Sequence, residues 1–403
     1  MVGAKNLLSG AWLLPVAYGA FSTFGPTSSG SHSAASSTSS GKYTQFTIPA
    51  DADTGAQLIA NIDDPEAVNA QSVCPGYKAS NIKESARGLT ATLTLAGKPC
   101  NVYGTDVDSL DFSIEYLAND RLNVQIVPTY LDSSNYSWFV LDEHVVPRPA
   151  SDNHASKKQS DLEITWSNEP SFHFKVTRKA TRDAIFDTTG SVLVFENQFV
   201  EFVTSLPKDY NLYGIGEHIQ QLRLLNNLTL TLYASDIGDP IDEWVSFPIH
   251  LFLLVFAAIL ILTTFTSNVY GSQPFYLDTR YYEVNHLGHH ILVASDKADQ
   301  SKDYVSFSHG VFSRNAHGQE IIMNPEGLKW RTLGGSIDLT FYSGPSQADV
   351  TKNYQLSTIG LPALQQYFTF GFHQCRWGYN NWTELEEVVS NFDKFEIPLE
   401  TIW

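Results

Sequence analysis

Glu217 and His218 close the segment YGIGEH, and both are residue types that can transfer protons in catalysis. Gly214 and Gly216 precede them, and glycine permits the backbone conformations of a tight turn. A phosphate-binding loop would need a helix directly after its glycines, and no helical pattern follows here. The segment is therefore interpreted as a turn between strands, in which Glu217 holds the loop through hydrogen bonds.

Three histidines, His286, His289 and His290, lie close enough in sequence to suggest metal ligands. They belong to an alternating stretch typical of strands, where neighbouring side chains point to opposite faces. Surface histidines are the favoured interpretation, so the sequence predicts no metal site. No Ser-His-Asp order, P-loop or zinc-ligand spacing is present in the sequence either, and no cofactor is expected.

The composition limits the possible partners of the protein. Its net charge is −18 at pH 7, which argues against nucleic acid or an anionic membrane surface as a partner. Aromatic residues make up 13% of the chain, and aromatic side chains both favour strands and line sugar-binding clefts. Tyr379 and Trp382 are candidates for contact with sugar rings, although core packing is the more common fate of such residues.

The three cysteines suggest one disulfide and one free thiol in an oxidising compartment. Cys74 and Cys100 flank the strand-like stretch GLTATLTLAG and could join its two ends. Cys375 lies in a different sequence context and is expected to be a buried free thiol. N-glycosylation sequons, which are meaningful only in an exported protein, occur at Asn135, Asn227 and Asn381.

The N-terminus has the pattern of a secretory signal peptide over residues 1–20. Lys5 supplies the positive charge, an apolar stretch follows, and small residues near Gly19 and Ala20 offer a cleavage site. A short membrane anchor is the alternative. Residues 21–69 are rich in Ser and Thr in their first half and are expected to be a disordered segment and lead-in. The protein is thus predicted to be secreted.

From about residue 70 the sequence changes to short stretches that alternate apolar and polar residues between turn signals. This period of two predicts antiparallel strands, and no long amphipathic helix is indicated before residue 345 outside one apolar stretch. The fold class predicted from this pattern is mainly β, with a large antiparallel β-sandwich over residues 70–360. The alternating stretches include LTATLTLAG, LDFSIEYLA, RLNVQIVPTY, FHFKVTRKA, SVLVFENQFVEFVT, LTLTLYAS, HHILVAS and SIDLTFYSG.

The pattern changes again after Gly344. One helix is predicted to end at Gly360, and a strand, a second helix and another strand follow over residues 361–403. Thr383 is the expected cap of the second helix and Pro398 its end. Strand, helix and strand in this order indicate the start of a parallel α/β unit. The apolar face of the second helix is predicted from Leu385, Val388, Val389 and Phe392.

Several stretches together resemble the α-glucosidases of glycoside hydrolase family 31. The segment GFHQCRWGY is the most specific of them, whereas YGIGEH alone would be a weak signal. VCPGYKASNI and GLTATLTLAGKPCNVYG are similar to the secreted fungal members in particular. The other stretches that carry the resemblance are YNLYGIGEH (210–218), NVYGSQPFYLDTR (268–280), SHGVFSRNAHGQEI (308–321) and TFGFHQCRWGYNNWTELEEVVSNFDKFEIPLETIW (369–403).

The resemblance implies a galactose-mutarotase-like β-sandwich followed by a (β/α)₈ catalytic barrel, of which residues 361–403 would be the beginning. It also implies a retaining enzyme that releases glucose from maltose-like α-glucosides, using two carboxylates about 5–5.5 Å apart. The family's nucleophile motif, W-x-D-M-N-E, does not occur here. The catalytic pair is therefore expected beyond Trp403, and this chain is expected to be inactive alone. A non-catalytic carbohydrate-binding β-sandwich is the alternative function.

The resemblance further implies a loop of the sandwich that gives an aspartate to the sugar site. The matching loop is YASDIGDPIDE (233–243), in which Asp236 is the best candidate and Asp239 lies behind it. A carboxylate there would accept hydrogen bonds from paired sugar hydroxyls. A solvated acidic turn is the alternative. Arg376 and Trp377 are expected to pack beside the active site without taking part in the chemistry.

Residues 244–267 interrupt this matching region with the apolar run WVSFPIHLFLLVFAAILILTTFTS. A membrane span over 247–266 is one interpretation, which would make the protein single-pass, but Pro248 and His250 interrupt it and about 20 apolar residues are needed. A core hairpin of two strands is another. The favoured hypothesis is a translated intron, because the flanking segments run almost directly together in the resembling family.

Overall fold

The computed structural model describes residues 67–129, 141–208, 210–218, 220–234, 268–294, 299, 301–376 and 378–403. The predicted signal peptide, almost all of the segment 21–69 and the apolar run 244–267 lie outside these residues. No helix in the described ranges is both long and apolar enough to cross a membrane.

The first part of the chain forms one short helix and nine strands. In chain order these are α1 (Ala70–Val73), β1 (Tyr77–Ser85), β2 (Gly88–Leu95), β3 (Ser109–Ala118), β4 (Arg121–Pro128), β5 (Leu162–Ser167), β6 (His173–Arg178), β7 (Ala184–Asp187), β8 (Val194–Glu196) and β9 (Phe199–Ser205).

The second part of the chain continues with eight more strands of the same two sheets. They are β10 (Leu212–Gly214), β11 (Leu228–Leu232), β12 (Phe275–Val284), β13 (His290–Val293), β14 (Val305–Ser313), β15 (Gln319–Asn324), β16 (Gly327–Thr332) and β17 (Ile337–Tyr342).

These strands form two antiparallel sheets, as the alternating sequence pattern predicted. The nine-stranded sheet has the order β1-β2-β3-β4-β17-β14-β12-β10, with β13 also paired to β12. The eight-stranded sheet has the order β11-β15-β16-β9-β7-β6-β5, with β8 beside β9. Strands distant in sequence are neighbours in both sheets, for example β4 and β17, so the sandwich closes only when the whole region is present.

The core lies between the two sheets because each strand turns alternate side chains inward. On β9, for example, Val200 and Phe202 join the main core cluster. Glu201 between them lies on the opposite face of the sheet, where other side chains bury it. Aromatic rings join the sheets directly: Phe186 of β7 meets Phe341 of β17 edge-on, with ring centroids 5.2 Å apart. The mainly β sandwich predicted from the sequence is confirmed.

A smaller α/β segment follows the sandwich. Helix α2 (Gln347–Tyr354) continues into a π-helical turn (Gln355–Ile359) that stops at Gly360. Strands β18 (His373–Gln374) and β19 (Thr401–Ile402) pair in parallel, and helix α3 (Trp382–Lys394) connects them. The predicted strand, helix and parallel strand are therefore present. All described residues belong to one compact unit, 57–403, and the boundary predicted at 360/361 stays a prediction.

Two details of this segment differ from the predictions. Asn381, not Thr383, caps α3, because the helix begins at Trp382 and the Asn381 Oδ1 accepts a hydrogen bond from the Glu384 amide at 3.0 Å. The helix also ends at Lys394 and does not extend to Pro398. Glu396, two residues after the helix end, adopts a positive φ of 56°. Cys375 is exposed rather than buried, because it directly follows the two-residue strand β18 and none of the described chain covers it.

Candidate functional site

The YGIGEH segment forms a hydrogen-bonded clasp with residues 268–272. The Glu217 carboxylate accepts a hydrogen bond from the Gly271 amide at 2.7 Å. The Asn268 side-chain amide donates to the Glu217 and Gly271 carbonyls at 3.0 and 2.7 Å. His218 pairs with Asn268 through the backbone and places its Nε2 2.9 Å from the Thr231 carbonyl of β11. Glu217 thus holds the loop, in the manner that the sequence indicated.

A glycine is required where β10 enters the clasp. Gly214 has a φ of +101°, and a Cβ added there would lie 2.5 Å from the Phe275 carbonyl oxygen. A side chain would therefore be strained and would also collide with β12. The close approach of β10 and β12 at this point positions the clasp at the edge of the nine-stranded sheet.

The clasp and strand β11 flank the predicted sugar-binding loop. The described chain stops at Ala234 and resumes at Asn268, so Asp236 and Asp239 lie outside the described residues. Their role as sugar ligands therefore stays a prediction.

Two-carboxylate chemistry needs a pair of acids at an open site, and the described chain holds three clusters of buried acids. The first cluster surrounds Arg280 in the sandwich core. Its Nε donates to the Asp278 carboxylate at 2.8 Å, and its Nη1 contacts Asp183. Burial raises the pKa of Asp278. Burial would also raise the pKa of Asp183, but the Arg280 charge and hydrogen bonds hold that pKa below its ordinary value. Both acids are bound to the same buried guanidinium inside the fold.

A second acidic pair supports the loop beside the disulfide. Glu196 is fully buried, and its two oxygens accept hydrogen bonds from the Val102 and Tyr103 amides at 2.7 and 2.8 Å. Asp106 accepts hydrogen bonds from the amides of Cys100 and Asn101. Burial raises the pKa of the Glu196 carboxyl group, which Asp106 raises further. Both acids are buried, and they organise a turn.

The sulfurs of Cys74 and Cys100 lie next to Glu196. Both cysteines and this carboxylate could in principle form a three-ligand metal group, since their ligand atoms lie within 4.8 Å of one another. The structure joins the two sulfurs in a disulfide, however, with Cα atoms 5.0 Å apart. Disulfide sulfurs are not thiolates, so they are poor metal ligands. The arrangement is a covalent staple at the start of the sandwich.

A third cluster lies on the outer face of the eight-stranded sheet. The Arg331 Nε donates to the Glu201 carboxylate at 2.6 Å, and its Nη1 donates to Glu320 at 3.2 Å. Glu201 is fully buried, whereas the Glu320 side chain is 29% exposed. Both acids are bound to the same guanidinium. None of the three clusters in the described chain therefore leaves two carboxylates free to act as nucleophile and general acid.

The three histidines do not converge. His286 and His289 are exposed, while the half-buried His290 ring packs edge-on against Tyr282 and Phe307, with ring centroids 5.9 and 5.5 Å apart. A ring fixed between two aromatic side chains is part of the packing of the sheet face. His286 and His289 lie in the turn between β12 and β13, and only His290 belongs to a strand, so the strand alternation expected from the sequence is not what separates them.

The polar and aromatic candidates of the α/β segment lie at its surface. The Arg376 guanidinium stacks over the Tyr379 ring at 5.1 Å and reaches the Glu384 carboxylate at 3.4 Å. Trp382 is 71% exposed, and Trp377 lies outside the described residues. The sequons at Asn227 and Asn381 are exposed, and that at Asn135 lies outside the described residues.

Sequence reasoning missed a groove of about 320 Å³ on the outer face of the eight-stranded sheet. Tyr233 and Leu333 form its walls, and Glu320 and Arg331 line it. Tyr233 directly follows β11, Glu320 lies on β15, and Arg331 and Leu333 lie on or directly after β16. They are up to 100 positions apart, so only the strand register brings them together. The one available signal in the sequence was Tyr233, the aromatic residue directly after the alternating stretch LTLTL.

Comparison with known proteins places this arrangement in context. Residues 362–403 match the family description "Glycosyl hydrolases family 31 TIM-barrel domain". The whole chain is 60% identical to an α-glucosidase of Aspergillus oryzae and 59% identical to one of Aspergillus niger. It spans 38% of the length of each. Glucoamylase 1 of Candida albicans is 38% identical over 92% of the chain, which covers 34% of that protein.

Solved structures show the same fold. The crystal structure of a glucosidase II α subunit superposes with a TM-score of 0.54 at 15% sequence identity, covering 82% of this chain and 39% of that one. The heterodimeric endoplasmic reticulum glucosidase II complex gives a TM-score of 0.56 at 16% identity with the same coverage. The sandwich followed by the first part of a barrel is thus a fold shared with these enzymes.

Proposed function

Because the chain belongs to glycoside hydrolase family 31, as the counterpart of the N-terminal part of its fungal α-glucosidases, we propose that the protein is an α-glucosidase. It would release glucose from the non-reducing ends of maltose and malto-oligosaccharides. The observation that carries this proposal is the 60% identity over the full chain to the Aspergillus oryzae enzyme. The reaction would be a retaining hydrolysis that uses one carboxylate as nucleophile and a second as acid and base.

The catalytic pair is proposed to lie outside the residues of this chain. Support comes from the described acids, since Asp278, Glu196 and Glu201 are each buried and bound to cations or backbone amides. A carboxylate in such a position cannot reach an anomeric carbon. This part of the protein would then supply a scaffold and a loop to the sugar site.

Hydrolysis of p-nitrophenyl α-glucoside tests the assignment. The 403-residue chain is expected to give no turnover, whereas a longer protein that contains it together with a complete barrel should hydrolyse this substrate and maltose. p-Nitrophenyl β-glucoside serves as the control and should remain intact. Turnover by the 403-residue chain would refute the placement of the catalytic pair, and an inactive longer protein would refute the α-glucosidase assignment.

Asp236 is proposed to bind sugar hydroxyls, with Asp239 behind it. The clasp of Glu217 and Asn268 supports this role, because it fixes the chain at the point where the described residues resume. In the active longer protein, Asp236→Asn should weaken maltose binding more than Asp239→Asn does, since only the first would contact the substrate. Equal KM values for the two variants would contradict the assignment.

Two alternatives make different predictions. A non-catalytic carbohydrate-binding sandwich would bind oligosaccharides in every form of the protein and hydrolyse none. A protein anchored through residues 247–266 would partition into the detergent phase on phase separation with Triton X-114. Recovery from the aqueous phase together with hydrolysis by the longer protein would leave the α-glucosidase proposal as the one supported.

The protein is further proposed to be secreted and N-glycosylated. Support comes from the signal-peptide pattern of residues 1–20 and from the exposed positions of Asn227 and Asn381. At Asn381 the capping Oδ1 atom remains available when a glycan occupies Nδ2. Expression in a fungal host should place the protein in the medium, with a mass that falls on treatment with peptide N-glycosidase. An intracellular, unglycosylated product would contradict this proposal.

A further inference from the structure

The groove on the outer face of the eight-stranded sheet combines an apolar wall with a polar row of side chains. Strands β11, β15, β16 and β9 run side by side here. The groove has a volume of about 320 Å³, which is enough for one sugar ring with its substituents.

The apolar part consists of two exposed side chains over a glycine. Tyr233, directly after β11, is 65% exposed, and Leu333, directly after β16, is 56% exposed. A Cβ added to Gly318 would lie 3.0 Å from the Tyr233 ring and 3.3 Å from the Leu333 side chain. Both side chains therefore converge at Gly318, and Phe199 is a further lining residue. The glycine leaves room for the aromatic ring to lie against the sheet.

The polar part is a row of direct cross-strand partners. Thr231 pairs with Glu320, Glu320 with Arg331, and Arg331 with Glu201. The Arg331 side chain is 5% exposed and is held by Glu201 and Glu320, so its guanidinium plane is fixed before any ligand arrives. Preorganised planar groups bind ligands with less loss of conformational entropy.

The charges of this row cancel. Glu201 and Glu320 provide two negative charges, and Arg331 and Lys329, whose Nζ lies 3.9 Å from Glu201, provide two positive charges. A phosphate, a basic peptide or a metal ion would gain no net attraction from such a set. A neutral ligand with several hydroxyl groups would be attracted, because the carboxylates can accept hydrogen bonds from its hydroxyls and the planar guanidinium can donate hydrogen bonds to them.

One buried acceptor next to the groove makes no hydrogen bond within the described chain. The Glu201 Oε1 atom, beside Arg331, accepts no hydrogen bond from the described residues and lies 3.9 Å from the Lys329 Nζ. A buried acceptor without a partner costs stability, which a ligand hydroxyl or a bound water would restore.

We propose that this groove binds one ring of a neutral oligosaccharide, with the ring's apolar face on Tyr233 and its hydroxyls on Arg331 and Glu320. Sugars present both an apolar face and an edge of hydroxyl groups, and the groove offers a partner for each. The choice of an α-glucan as the oligosaccharide rests on the proposed α-glucosidase function. The proposal that the groove binds a sugar does not depend on that function.

Isothermal titration calorimetry of the 403-residue chain with maltoheptaose tests the proposal. Tyr233→Ala should weaken binding by up to about tenfold, since an aromatic contact contributes about 0.5–1.5 kcal/mol. Tyr367→Ala is the matched control, because Tyr367 is 93% exposed and lies outside the groove, and it should bind as the unaltered chain does. Tyr233 is exposed, so its loss should leave the thermal unfolding transition unchanged.

A second variant guards against an indirect effect. Gly318→Val would place a branched side chain where the Tyr233 ring now lies and should also reduce binding, with the fold checked by circular dichroism. Absence of maltoheptaose binding at millimolar concentration, or equal affinity of Tyr233→Ala and the unaltered chain, would overturn the proposal. Binding of mannopentaose in preference to maltoheptaose would overturn the choice of an α-glucan and support the groove as a site for a different neutral oligosaccharide. Because no hydrolysis is measured, these outcomes are separate from a failure of the α-glucosidase assignment.

Discussion

His309 illustrates how single residues in the sandwich respond to their surroundings. The imidazole is fully buried, and its Nε2 lies 3.8 Å from the Asp278 carboxylate. Burial holds the pKa of His309 far below its ordinary value, and the charges of Arg280 and Arg178 lower it further. Asp278, whose own pKa is raised by burial, does not reverse this effect. The ring is therefore neutral in the folded protein.

This neutral histidine predicts a specific dependence of stability on pH. Below about pH 6.5 the unfolded chain binds a proton at His309 that the folded chain does not bind, so the stability falls as the pH falls. The loss approaches about 1.4 kcal/mol per pH unit. Urea unfolding between pH 5 and 8 should show this slope in the unaltered chain and a reduced slope in His309→Gln. The exposed His286→Gln serves as the control and should keep the slope; an unchanged slope in His309→Gln would contradict the prediction.

At the scale of elements, local patterns set the strands, and contacts between elements set their ends. The alternating stretches predicted most of the sandwich strands because one face of each is buried. The cap of α3 was predicted at Thr383 and lies at Asn381. Both residue types can cap a helix, and only the backbone conformation decides at which of them the helix begins. The strand expected around GFHQCRWGY is limited to His373–Gln374, because it has only one short partner, β19, in the described chain.

The clasp between β10 and residues 268–272 makes a prediction about this element. Glu217→Ala removes the carboxylate that accepts the Gly271 amide, so the free energy of unfolding should fall by about 1 kcal/mol. Hydrogen exchange at the Gly271 and Val269 amides should also become faster. Glu217→Gln keeps a side-chain oxygen and should retain most of the protection. Unchanged exchange in Glu217→Ala would show that the clasp does not depend on this side chain.

For the whole molecule, the sandwich and the α/β segment differ in how completely their apolar side chains are buried. The two sheets share one large core, whereas α3 has no fully buried residue. Within the described chain, residues 361–403 make no hydrogen bond, ion pair or ring contact with the sheets. The segment also exposes large apolar side chains, including Leu364, Phe370 and Trp382.

Limited proteolysis should reveal this difference. Chymotrypsin is expected to cut after Tyr367, which is 93% exposed, before it cuts after Tyr342, which is fully buried in β17. Local opening requires little free energy where few apolar contacts are broken. A time course followed by mass spectrometry would identify the order of cleavage. Simultaneous cleavage at both tyrosines would mean that the sandwich is no more stable than the segment that follows it.

The sequence by itself determined the fold class, the strand positions and the family resemblance, because periodicity and short motifs are local properties of the chain. It also indicated that Glu217 serves the loop and not catalysis. Tertiary structure alone decided which strands are neighbours, that Cys375 is exposed, and that Arg280 and Arg331 each bind two acids. It also assembled the groove of Tyr233, Gly318, Leu333 and Arg331, since the pairing of β11, β15, β16 and β9 depends on burial across the whole sandwich, which no local pattern encodes.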